Sequence, residues 1–285
     1  MNILKKILVV STAFGLYTAT AVESRAVDNP TVFQVTAPSS QSSSDIKINH
    51  KSVNGQPNAV LIVTQCWKGV YNPHPVGVYY ETTSKSWYIF NEDEADIPPK
   101  TIFNVRAEAT PTATSVHLNA SALNSSANYT ITSGLTTSAS GLNLVTHYMD
   151  PAPSIGAMYL TVNLGLYYLG DEWVVFNVDG SNAEATAYNL ADVTGAAGAS
   201  LQTSTSSNIS SDNFAINDPI ANGNAKAIVF VSNNGTPPGA AESDNNHGVG
   251  VYYNGSNWCI FNEDETAMAT GLAYNVQVFA GPVTP

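Results

Sequence analysis

The stretch Val249-Gly250-Val251-Tyr252-Tyr253-Asn254-Gly255-Ser256-Asn257-Trp258-Cys259-Ile260-Phe261-Asn262-Glu263-Asp264 reads as a β-hairpin. Two runs of β-branched and aromatic residues flank an Asn-Gly turn, which supplies the positive φ angles that a tight loop requires. The Tyr-Tyr strand and the Trp strand should therefore pair antiparallel. Side chains alternate along a strand, so Trp258 and Ile260 share one face and Cys259 and Phe261 the other. Large residues on both faces predict a hairpin buried on both sides.

The pattern occurs three times. Val76-Gly77-Val78-Tyr79-Tyr80 precedes Trp87 and Phe90-Asn91-Glu92-Asp93, and Leu164-Gly165-Leu166-Tyr167-Tyr168 precedes Trp173 and Phe176-Asn177-Val178-Asp179. The Trp residues are spaced by 86 and 85 residues; only Trp67 stands outside the motif. The likeness extends upstream (Ala59–Thr64, Leu142–Thr146, Ala227–Ser232) and downstream (Phe103-Asn104-Val105, Tyr188-Asn189-Leu190, Tyr274-Asn275-Val276). Earlier strands are expected at Val32–Thr36 with Asp45–Asn49, and at Ser115–Leu118 with Asn128–Thr132. About six short strands per repeat, bounded by polar turns, match the rhythm of sandwiches and barrels. The fold class is thus all-β, with three tandem antiparallel repeats packed against one another at 27–110, 111–197 and 198–285. Three domains in a row and one closed pseudo-threefold body both satisfy the repeat.

The chain has 285 residues, for which length alone suggests two domains. Charged residues make up 11% against 44% hydrophobic, less than half the usual ~25% charged fraction, so a packed chain rather than a disordered one is expected. A net charge of −12 and a pI near 4.6 argue against a nucleic-acid partner, which needs clustered Lys and Arg. Lys5 and Lys6, an apolar run from Ile7 to Leu16, and Ser24-Arg25-Ala26 form a secretory leader over 1–26, giving a secreted or cell-surface protein with no membrane span in the mature chain. Two cysteines, Cys66 and Cys259, are no disulfide scaffold, and whether they are joined is left open.

On these residues the chain resembles a family of secreted, mostly bacterial repeat domains of unknown function. The shared motifs are His-Pro-x-Gly-Val-Tyr-Tyr, present as His74–Tyr80 and as His247–Tyr253 with Gly248 for Pro, and Trp-x-Ile-Phe-Asn-x-Asp, present as Trp87–Asp93 and Trp258–Asp264. The second repeat has Val162 where the His should stand. The resemblance implies a β-rich extracellular module and no known reaction.

Candidate site residues follow from repetition. Asn91, Asp93, Asn177, Asp179, Asn262 and Asp264 read either as oxygen ligands for Ca²⁺ or as turn caps that bond their own backbone. His74 and His247 are equivalent and read as ligand-binding or as turn histidines. Tyr80, Tyr168 and Tyr253 read as an aromatic platform for a sugar ring or as core. No Gly-x-Ser-x-Gly, phosphate loop or His-Glu-x-x-His occurs. The functional expectation is a non-catalytic binding module, carbohydrate-binding or adhesive, with glycans or its own copies as partners. A self-assembling surface or matrix protein and an extracellular hydrolase are the alternatives.

Overall fold

A computed structural model describes residues 29–119, 128–131, 138–149, 159–169, 172–182, 186–238 and 244–283; the expected leader lies outside them. The first repeat forms β1 (Thr31–Thr36), β2 (Asp45–Lys47), β3 (Val60–Cys66), β4 (Val76–Glu81), β5 (Ser86–Asn91) and β6 (Ile102–Glu108). The second forms β7 (Ser115–Asn119), β8 (Asn128–Ile131), β9 (Asn143–Tyr148), β10 (Leu164–Leu169), β11 (Glu172–Asn177) and β12 (Ala187–Asp192). The third forms β13 (Ala199–Thr203), β14 (Ile209–Ser210), β15 (Asn213–Ala215), β16 (Ile228–Asn234), β17 (Val249–Tyr253), β18 (Trp258–Asn262) and β19 (Ala273–Phe279). Among the described residues there is no helix.

The hairpins pair antiparallel as expected, with Tyr80 opposite Trp87, Tyr168 opposite Trp173 and Tyr253 opposite Trp258. The first two strands of a repeat, however, enter different sheets. The sheet orders are β1-β6-β3-β17-β18-β15-β14, β2-β5-β4-β9-β12-β7 and β13-β19-β16-β10-β11-β8. Each repeat thus gives its outer strands and its upstream strand to one sheet, and its Tyr-Tyr/Trp hairpin to the next. Repeats meet at short parallel seams: β4 on β9, β10 on β16, and β17 on β3. Repeat 1 joins 2, 2 joins 3 and 3 joins 1, so the ring closes around a pseudo-threefold axis. The two-domain arithmetic and the picture of three domains in a row are both replaced by one interleaved body. Its pairing is antiparallel except at the seams.

Within each repeat the two half-sheets face each other as a sandwich. Trp87, Trp173 and Trp258 lie at the three centres, among Phe103 and Val105, Tyr188 and Leu190, and Tyr274 and Val276. Their indole N–H groups donate to Gln56 O, Ser138 O and Asn224 O, tying hairpin to lead segment. A fourth cluster draws on all repeats, with Val32, Ile62, Leu144, Val193, Ile228 and Phe230. Around the axis, hydroxyls accept main-chain N–H groups in a cycle: Val63 to Thr146, Val145 to Ser232, and Val231 to Thr64. The repeated Asn of the last strand closes a second cycle, with Asn104 donating to Val229 O, Asn189 to Leu61 O and Asn275 to Asn143 O. Cys66 and Cys259 are buried and unbridged.

Candidate functional site

The three Asn-x-Asp units occupy one local structure. Asn91, Asn177 and Asn262 donate to the carbonyls of Ala95, Asn182 and Thr266, while Asp93, Asp179 and Asp264 accept the N–H two residues on. The next residue is left-handed in all three, Glu94 at φ 60°, Gly180 at 76° and Glu265 at 61°. These six side chains close a turn, and among the described residues no group of three or more His, Cys, Asp or Glu has the geometry of a metal site.

The residue between Asn and Asp points inward. Glu92 is 1% and Glu263 3% exposed, and Val178 fills the equivalent place. Each packs over the strand glycine of its own hairpin, so a Cβ on Gly77 or Gly250 would overlap the carboxylate, and on Gly165 the ring of Phe176. Glu92 meets His147 of repeat 2 and accepts Leu160 N–H at 2.8 Å. Glu263 accepts Asn72 N–H at 3.2 Å and has no histidine facing it, because Gln65 stands where repeat 2 has His147. Burial pushes the Glu263 carboxyl up to about 8. Burial also raises Glu92, against the pull of His147 and the Leu160 N–H.

His74 and His247, far apart in sequence, line one pocket of about 100 Å³ on the pseudo-threefold axis. Each bonds the Asp of its own turn through Nδ1, to Asp93 at 2.6 Å and Asp264 at 2.7 Å. Val162 takes the third position at the rim, and Gln65, His147 and Asn233 lie deeper at equivalent places.

The tyrosine pairs divide by face. The second of each pair shares the Trp side, and Tyr80 is 5% exposed, edge-on to Trp87 with centroids 5.6 Å apart. Tyr80 therefore presents no platform; Tyr168 and Tyr253 are half-buried against Trp173 and Trp258. The first tyrosines face outward. Tyr79 stacks on Tyr88 and bonds Asp45, and Tyr167 packs on Phe176.

Tyr252 lines a cleft of about 220 Å³ where repeats 3 and 1 meet, with Trp67, Tyr71, Phe261, Asp212 and Asn213. Trp67 lies 5.8 Å from both Tyr71 (tilted) and Tyr252 (edge-on). Among the described residues its buried indole N–H has no partner, whereas the other three Trp N–H groups are bonded. Tyr71 is 36% exposed. Repetition directed attention away from this cleft; the signal that could have found it was Trp67, the tryptophan that does not repeat.

The chain matches the model of a domain of unknown function, DUF7452, three times, over residues 11–106, 77–191 and 171–278. It belongs to that family. The three matches overlap, at 77–106 and 171–191. No curated protein and no solved structure matches the chain.

Proposed function

We propose that this chain is a secreted, non-catalytic module that binds glycans in the Trp67 cleft. The carrying observation is the unpartnered indole N–H of Trp67 among the aromatic side chains of Tyr71 and Tyr252. Aromatic faces suit the C–H surface of a sugar ring, and the N–H, Asp212 and Asn213 supply donors and acceptors for its hydroxyls. The leader at 1–26 and the acidic, weakly charged composition support an extracellular setting.

A glycan array followed by titration calorimetry tests the reading. The other three Trp are at most 1% exposed, so a ligand-induced change in tryptophan fluorescence reports on Trp67. Trp67→Phe and Tyr71→Ala should each weaken binding by about tenfold. A silent array, or undiminished affinity in both variants, would count against the proposal.

A further inference from the structure

The axial pocket is independent of the cleft, and its chemistry points to its own ligand. Its wall comes from equivalent segments of all three repeats. Gln65 and Asn233 are 4% and 5% exposed and line it, and among the described residues Gln65 Oε1 and Asn233 Oδ1 have no partner. Their amide orientation is set by the other end: Gln65 Nε2 donates to His74 O at 3.3 Å and Asn233 Nδ2 to Asn245 O at 3.4 Å. A flip would set oxygen against oxygen, so the atoms left over are acceptors. Unmet buried acceptors cost stability, and a ligand that donates to them recovers it.

Donors are supplied by the three hydroxyls on the axis. Thr64, Thr146 and Ser232 each accept a main-chain N–H and keep their own O–H to give. Three carboxylates around the pocket already have a hydrogen-bonded partner. Asp93 faces His74, Asp264 faces His247 and Glu92 faces His147. Glu263 lies behind Gly248, and burial raises its carboxyl to about 8, toward the neutral form. Among the described residues no Lys or Arg lines the pocket, which disfavours an anion as ligand. A hard cation takes six to eight oxygens, with carboxylates among them, and here the free acceptors are amides beside valine and leucine methyls. A water needs about 10–15 Å³, so the space suits a molecule of several heavy atoms better than a bare ion.

We infer that the axial pocket binds a small, neutral polyhydroxylated molecule, a cyclic polyol or a monosaccharide, through Gln65 and Asn233. His74 and His247 stand at its mouth. With Nδ1 of each ring bonded to its own aspartate, Nε2 is left for a further hydrogen bond.

Saturation-transfer NMR on the mature chain, with myo-inositol and the methyl glycosides of glucose, galactose and mannose, tests this. At least one probe should receive saturation. Gln65→Leu and Asn233→Leu should weaken it by about tenfold each. Val162→Trp blocks the mouth without touching a buried amide, so it decides the matter if the amide variants misfold; it should abolish the signal. Tyr71→Ala should leave the pocket signal unchanged while weakening glycan binding at the cleft about tenfold, so the two proposals fail separately. Absence of transfer from every probe overturns the inference. So does a signal that survives Val162→Trp, or one competed away by KCl or CaCl₂, which would make the ligand a cation.

Discussion

At Gly77, Gly165 and Gly250 the requirement is space. None of the three has a positive φ, and each lies under a phenylalanine ring and the residue two places beyond it. Gly250→Ala should cost about 1–3 kcal/mol by overpacking, read as a lower urea midpoint at unchanged slope. Gly55→Ala is the contrasting case: nothing lies near its Cβ, but its φ of 73° penalises the side chain, so a smaller loss is expected. Glu263 makes a pH prediction. Its carboxyl is raised in the folded chain from 4.5 to about 8, so its contribution to stability is fully present below about 4.5 and is lost as pH rises through 8. Glu263→Gln keeps the protonated shape at every pH. Melting curves should show the variant gaining on the parent from pH 5 to pH 9, and parallel curves would refute the assignment.

At the scale of elements, the hairpin was legible and the seam was not. Alternation, the Asn-Gly turn and the Trp spacing specify that β17 pairs with β18 antiparallel, because those contacts are local. Nothing in Val60–Cys66 states that it will take β17 as its parallel neighbour. The seams are short, two residue pairs each, and side chains reinforce them. Asn189 ties repeat 2 to repeat 1 away from the seam pairs, from β12 to β3. It is fully buried, donating to Leu61 O at 3.1 Å and facing His117 Nδ1 at 2.6 Å. Asn189→Leu would leave that carbonyl unpaired and should cost about 1–3 kcal/mol in chemical denaturation. An unaltered midpoint would mean the bond is not what holds repeat 2 to repeat 1.

Over the whole molecule, the cyclic exchange of hairpins makes the repeats interdependent. A repeat excised alone, such as 27–110, would carry its own core side chains but leave the seam edges of β3 and β4 open, and open edges invite pairing with other chains. It should aggregate or stay unfolded. The intact mature chain should melt in one calorimetric transition with calorimetric and van't Hoff enthalpies equal. Three resolved transitions would contradict the interleaved sheets. The asymmetries built on this frame separate the repeats chemically. His147 answers Glu92 at one junction, Gln65 faces Glu263 at the next, and Val178 and Asn233 occupy the third.

The sequence by itself determined the repeat, its six-strand rhythm, the antiparallel hairpins and the burial of the motif Trp, since all of these depend on neighbours along one chain segment. It also marked the Asn-x-Asp units and the two motif histidines as special by copying them. Only the tertiary structure decided that His74 and His247 share one pocket, that Glu92 meets a histidine while Glu263 does not, and that Trp67 is completed by Tyr252. The reason is physical: three near-identical edges can pair in tandem or in a ring with the same local pattern. The choice rests on contacts between residues roughly one to two repeats apart, which periodicity does not encode.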